Sequence, residues 1–303
     1  MDAFTLRQRV LEHYETYVRS FLSITDARIQ EHVSQRLRQG ALWPEPLVQL
    51  NPAYAMGHTV AELVAEGLLH PDCARLFVDR DGRPIRLYAH QEQALRLAAR
   101  SESYVLTTGT GSGKSLTYLI PIVDYVLKHN PQRHSVRAVI VYPMNALINS
   151  QLEAVRRMAE RIPGFPVRFA RYTGQESREE KNAIIQDPPH VLLTNYMMLE
   201  LVLVRPAERI FVERATSELQ FLVLDELHTY SGRQGADVAM LVRRLRERSG
   251  NPNLLCIGTS ATMVAGATWR EQMEKVADVA GRIFGVSIPP QNVIGETLRR
   301  ATG

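Results

Sequence analysis

Apolar residues fall into two textures along the chain. Over residues 1 to about 40, Phe4, Leu6, Val10, Leu11, Tyr14, Val18, Phe21 and Leu22 recur at spacings of three and four. That is the repeat of one helical face, and it predicts a helix with a packing stripe. "ALWPEPLVQLNPAY" interrupts the pattern with prolines, and "TVAELVAEGLLHPDCARLF" reads as one more short helix closed by Gly67 and Pro71.

From about residue 85 short apolar runs take over: "SYVLTTG", "RAVIVYP", "PVRFARYTG", "HVLLTNY", "ELQFLVLDE" and "NLLCIGTSAT", each followed by a helical or loop segment. Unbroken apolar runs fit strands buried on both faces. Their alternation with helices predicts right-handed crossovers and an α/β fold, a mainly parallel sheet with helices on both faces. Ligands then bind beyond the carboxyl ends of the strands, so the chemistry should lie just after each strand. There is no internal repeat and no low-complexity tract.

Composition narrows the class. With 303 residues, 45% hydrophobic and 22% charged, the chain is globular and not mainly disordered. No apolar run approaches the roughly 20 residues of a membrane span, and "MDAFTLRQRVLEHYE" lacks the apolar stretch of a secretory signal. The expectation is a cytoplasmic protein without membrane contact. Cys73 and Cys256 lie far apart, which fits neither a disulfide framework nor a zinc cluster, and Cys256 within "NLLCIG" is expected to be buried and reduced. The formal charge is +4, and only four of the 36 basic residues are lysines. Arginine suits phosphate contact, but a GC-rich genome gives the same bias, so the charge supports a nucleic-acid partner only weakly.

The first of the apolar runs leads into "TTGTGSGKSLTYLIPIVDYVL". Backbone N–H groups around Gly109, Thr110, Gly111, Ser112 and Gly113 can curl around phosphate oxygens, and the following helix adds its dipole. Lys114 would reach the β- and γ-phosphates, and the Ser115 hydroxyl would ligate Mg²⁺. Thr108 stands where the strict phosphate-loop pattern has glycine, so the match is to a looser form with a small residue there. A glycine turn without nucleotide is the alternative; strand, turn, Lys-Ser and helix in this order point to phosphate binding. That changes the meaning of "LVLDELH". An acidic pair at a strand end is usually a solvated turn, but beside a phosphate loop Asp225 can hold the Mg²⁺ shell and Glu226 can orient and deprotonate the attacking water.

The ordered set "LYAHQEQAL", "TGTGSGKS", "YPMNALINSQ", "YTG", "LLTNYMMLE", "LDELH" and "GTSAT" resembles the first RecA-like domain of superfamily-two DEAD/DEAH-box helicases. It is most similar to the bacterial branch of large DNA helicases that includes the YprA-type, Hrq-type and Lhr-type enzymes, several of them repair or defence proteins. The resemblance implies a RecA-like P-loop NTPase domain preceded by a helical N-terminal segment, with ATP and Mg²⁺ as cofactors. It gives Gln91 the adenine edge and Tyr88 a place near the base, the alternative for Gln91 being a buried helix cap. It makes His228, Ser260 and Thr262 the link between the γ-phosphate and the nucleic-acid surface, where local caps or turn bonds are the alternative for the hydroxyls. Nucleic-acid contacts fall to Asn145, at a helix start, and to Thr194 and Asn195. Met197 and Met198 are expected in the core. Arg244, Arg246 and Arg248 are what the helix dipole alone asks of a last turn.

The domains expected are a helical segment over 1–84, the ATP-binding domain over 85–265, and over 266–303 a helix and the start of a linker. Helicases of this kind close their site with a second RecA-like domain that supplies arginine fingers. The roughly 40 residues after "GTSAT" are too few for a domain of typical size, so a fragment is expected, one that binds ATP and hydrolyses it weakly. The resemblance favours DNA over RNA as partner, while backbone-directed contacts fit either. A nucleotide-gated binding module, docking a protein partner through the N-terminal helices, is the second reading.

Overall fold

The computed structural model describes residues 2–41, 53–109, 111–205, 216–261 and 268–299. The chain parts into two compact units, Met1–Asn51 and Pro52–Gly303, so the division lies upstream of the expected boundary at residues 84 and 85. Among the described residues no helix is long and apolar enough to cross a membrane.

In the first unit the single expected helix is two, α1 (Ala3–Ser20) and α2 (Ala27–Arg38). Asp2 and Asp26 begin them by accepting hydrogen bonds from N–H groups that a first turn leaves free. The periodic pattern runs through the break because Asp26 restarts the helix without disturbing the apolar spacing. The α1 stripe is largely exposed, with Phe4, Val10, Tyr17 and Phe21 open to solvent.

The second unit opens with β1 (Met56–Thr59), which pairs antiparallel with β2 (Arg86–Tyr88). Between them lie α3 (Val60–Ala65) and α4 (Pro71–Leu76). Thr59 and Glu62 form a reciprocal capping box on α3. Pro71 opens α4 at its first turn, where a missing N–H costs nothing, instead of closing a helix.

The main sheet follows. In chain order it runs α5 (Ala89–Ala99), β3 (Tyr104–Thr107), α6 (Leu116–Lys128), β4 (Ala138–Tyr142), α7 (Asn145–Ala159), β5 (Phe169–Tyr172), α8 (Arg178–Gln186), β6 (Val191–Asn195) and α9 (Tyr196–Val204). It continues with β7 (Phe221–Leu224), α10 (Gly232–Ser249), β8 (Leu255–Ser260), α11 (Trp269–Phe284) and β9 (Val293–Gly295). The seven strands are ordered β5-β6-β4-β7-β8-β3-β9, and every pairing is parallel. The six strands expected from the apolar runs are all present. β9 was not expected: it lies in the stretch read as a linker and joins the sheet beside β3, from Val105↔Val293 to Thr107↔Gly295.

Side chains alternate across the sheet, as the pleat requires. Tyr104, Leu106, Ile140, Leu193, Val223 and Ile257 join one core with α5, α6 and α7. Val105, Val139, Val141, Leu192, Leu222 and Cys256 join a second core with α9, α10 and α11. With apolar layers on both sides the strands read as continuous runs. Both cysteines are free and buried, and burial pushes the Cys256 thiol up to about 12. Arg246 of α10 donates to the carbonyls of Phe284 and Gly285, where α11 ends.

Candidate nucleotide site

The glycine turn links β3 to α6. Gly111 and Gly113 take φ values of +82° and +71°, a region glycine enters without penalty. No heavy atom stands within 4 Å of where a Cβ on Gly111 would be, so the loop is open there. A Cβ on Gly113 would lie 2.4 Å from Gln91 Nε2. The buried Thr108 and Ser112 hydroxyls share a hydrogen bond of 2.6 Å across the base of the turn. Ser115 heads α6 without a side-chain capping bond; Thr110 lies outside the described residues.

Gln91 is buried, accepts from Tyr88 N–H at 2.9 Å, and donates to the carbonyls of Ser112 and Gly113 at 3.3 and 3.0 Å. It caps α5 and fastens that helix to the phosphate loop. Tyr88 packs against Tyr54 with ring centroids 4.9 Å apart, and His90 lies 5.4 Å from Tyr54 and 5.5 Å from Tyr88. His90 Nε2 faces the Ser112 carbonyl at 3.0 Å. A carbonyl only accepts, so this tautomer leaves the buried, unpartnered Nδ1 as an acceptor. Burial is the main influence on His90 and holds it below the usual imidazole range. Tyr54 and His90 escaped the sequence reading, since only the fold carries Tyr54 to the start of α5.

Asp225 and Glu226 follow β7. That strand is not next to β3, because β8 lies between them. Thr259 of β8 fills the gap: its hydroxyl donates to Asp225 and accepts from Glu226 N–H at 3.1 Å. Burial, the largest influence, pushes the Asp225 carboxyl above the ordinary carboxylate range and the neighbouring Glu226 charge adds to this, while the Thr259 hydrogen bond and Lys114 oppose it. Glu226 adopts φ 52° and ψ 55°, the left-handed region, which is uncommon for a residue other than glycine. Its carboxylate meets Lys114 Nζ at 3.3 Å, with side chains only 22% and 11% exposed.

His228 Nδ1 stands 3.4 Å from Glu226 Oε2 and 3.3 Å from Ser260 Oγ. Two of the three expected coupling residues therefore meet at the acidic pair; Thr262 lies outside the described residues. Among the described residues no cluster of three or more His, Cys, Asp or Glu side chains is placed to hold a metal. A Mg²⁺ bound by Ser115, Asp225 and phosphate oxygens needs no such cluster, and the donor set fits that ion.

Further along the same carboxyl rim, past β7, Asn195 Nδ2 donates to Asn145 Oδ1 at 2.7 Å, tying the start of α9 to the start of α7. Asn195 Oδ1 also accepts from Met198 N–H and so caps α9. Thr194 departs from expectation: it is buried and its hydroxyl donates to the Tyr172 carbonyl at 2.7 Å, so that group serves the sheet. Met198 is buried as expected, but Met197 is exposed, because α9 turns it outward from the sheet.

A glycine turn, a largely buried lysine and an acidic pair on the carboxyl rim of a parallel sheet define a phosphate-loop domain of RecA-like fold. The chain belongs to the DEAD/DEAH box helicase family, which matches residues 88–268. It is 27% identical over 392 residues to the Druantia protein DruE of Escherichia coli, covering 91% of this chain and 21% of that protein. It is 30% identical over 191 residues to the uncharacterized ATP-dependent helicase YprA of Bacillus subtilis, covering 62% of this chain and 24% of the relative. The crystal structure of the DUF1998 helicase MrfA bound to DNA superposes with a TM-score of 0.65 at 22% identity, covering 81% of this chain and 29% of that one. The last likeness speaks to the fold alone. The chain spans 21% to 27% of the length of these and similar curated relatives.

Proposed function

We propose that the chain is the ATP-binding half of a motor that couples ATP hydrolysis to movement along, or unwinding of, DNA. The Lys114–Glu226 pair carries the reading, since it joins the loop lysine to the carboxylate best placed to act on water. A polyphosphate entering the loop exchanges for Glu226 as the partner of Lys114, and Glu226 becomes free to orient water and accept its proton. Ser115 and Asp225 would hold Mg²⁺, which when bound offsets the phosphate charge. Gln91 and Tyr88 border the nucleoside. His228 and Ser260, joined in our reading by Thr262, carry the state of the phosphate site towards the rim with Asn145 and Asn195, which hold a strand by its backbone.

DNA is favoured over RNA by the resemblance to the YprA, Hrq and Lhr branch. The solved neighbours include DNA-bound MrfA and ssRNA-bound Mss116 and support the fold for either. The motor reading also includes a second RecA-like domain facing Lys114, the source of an arginine finger. Calorimetric titration with Mg-ATP tests the base of the reading: binding should be lost in Lys114→Ala, and unchanged binding there sinks it. ATPase of the full-length protein, stimulated by single-stranded DNA or RNA across salt concentrations, tests the partner.

The exposed Phe4, Val10, Tyr17 and Phe21 favour a second reading, a nucleotide-gated module that docks a protein through its N-terminal helices. Full-length protein that binds ATP without DNA-stimulated turnover would select it.

A further inference from the structure

Glu296 follows β9 directly, and its Oε2 accepts a hydrogen bond from Gly109 N–H at 3.2 Å. The side chain is exposed. Its position is set by backbone on both sides. Thr107↔Gly295 pairing holds the chain just before it, and Ala55 N–H donates to the Thr297 carbonyl at 2.8 Å just after it. Arg299 N–H donates to the Ala53 carbonyl, and Tyr54 faces Leu298 in an antiparallel bridge. This carboxylate therefore stands beside the phosphate loop by construction.

The strand order gives that position a meaning. Along the carboxyl rim β7, β8, β3 and β9 lie side by side, so Asp225, Thr259, the phosphate loop and Glu296 follow one another in a line. Tyr54 bridges Leu298 just after β9 with its hydroxyl near Gly109, and with it come Tyr88 and His90. A nucleoside triphosphate with its terminal phosphate at Lys114 and Glu226 directs its nucleoside away from the acidic pair, towards β9 and the three rings. The sugar joins base to phosphate, and Glu296 stands with the Tyr54 hydroxyl at Gly109, where the rings meet the loop. A carboxylate repels phosphate but accepts hydrogen bonds from hydroxyls, the chemistry by which an acidic side chain holds ribose in dinucleotide folds. Glu296 also acts electrostatically on both Tyr54 and His90, which agrees with its closeness to these rings.

We propose that Glu296 reads the ribose of the bound nucleotide, accepting hydrogen bonds from its 2′ and 3′ hydroxyls while Tyr54 walls the sugar on the β9 side. This rests on the phosphate-loop reading above and adds a specificity residue to it. The test is calorimetric titration of the 303-residue chain and its Glu296→Gln and Lys114→Ala variants with Mg-ATP, Mg-2′,3′-dideoxyATP and inorganic tripolyphosphate. Glu296→Gln should weaken ATP about tenfold, the size of one charge-assisted hydrogen bond, and leave dideoxyATP and tripolyphosphate unchanged. Equal losses for ATP and dideoxyATP, or unchanged ATP, overturn the proposal. Tighter tripolyphosphate binding also overturns it, since the carboxylate would then merely cover the loop. If Lys114→Ala binds as the unsubstituted chain does, the phosphate-loop reading falls as well; Lys114-dependent binding without a Glu296 effect removes this proposal alone.

Discussion

Glu226 reaches Lys114 at 3.3 Å across an intervening strand, although 112 positions separate them in the chain. The contact is a lysine held by an internal anion that a phosphate must replace. Glu226→Gln removes the competing charge while keeping the shape. Mg-ATP should bind about three- to tenfold more tightly, as for the loss of one partly screened ion pair, with turnover of the full-length protein abolished. Titration beside an ATPase assay checks both, and weaker binding would contradict the exchange.

Asp225 bears a charge that its surroundings disfavour. Its pKa is raised in the folded chain, so the folded state holds the proton more tightly than the unfolded state. The resulting cost is absent below the ordinary carboxylate range and complete above the raised value. Asp225→Asn, which still accepts from Thr259, should raise the melting midpoint at neutral pH by about 2–4 °C, as for a gain near 1 kcal/mol. That gain should shrink as pH is lowered through the carboxylate range. Thermal scans across pH measure it.

Thr259→Val takes away the hydroxyl that favours the Asp225 carboxylate. Metal-dependent nucleotide binding should then need a higher pH than in the unsubstituted chain. Affinity measured at fixed Mg²⁺ from about pH 5 to 8 shows the shift, and identical profiles would remove Thr259 from the site.

Gly113→Ala meets two penalties, a positive φ and a Cβ 2.4 Å from Gln91 Nε2. We expect a destabilisation of about 1–3 kcal/mol and loss of ATP binding. Gly111→Ala, with open space at its Cβ, should lose binding at a smaller stability cost of about 1 kcal/mol from its φ alone. Denaturant unfolding of the two variants compares them.

Asn195→Ala removes the α9 cap and the bond to Asn145. The cap alone is worth about 1 kcal/mol. Single-stranded DNA affinity should fall while Mg-ATP affinity stays the same, as anisotropy and calorimetry would report.

The sequence disclosed the strands that have apolar layers on both sides, because such strands are unbroken runs. β1 and β2 are short and mix in polar residues, and β9, though apolar, is only three residues long, so none of them stands out. Lys114, Ser115, Asp225 and Glu226 were legible because spacing within a loop is a local property. Thr259 was not, since inside "CIGTSAT" it looks like any small strand residue until β8 is inserted between β7 and β3. Glu296 and Tyr54 were hidden for a related reason: they meet through the pairing of two segments more than 200 positions apart in the sequence, one read as a lead-in and the other as a linker.

Arg246 binds the end of α11 from the last turn of α10. One of these helices begins shortly after the Asp225–Glu226 turn, the other shortly after β8 and Ser260. Clasped at their far ends, they are fastened to each other on the face of the sheet that carries the second core. Arg246 is thus the rivet that pins the close of one helix to the close of the other.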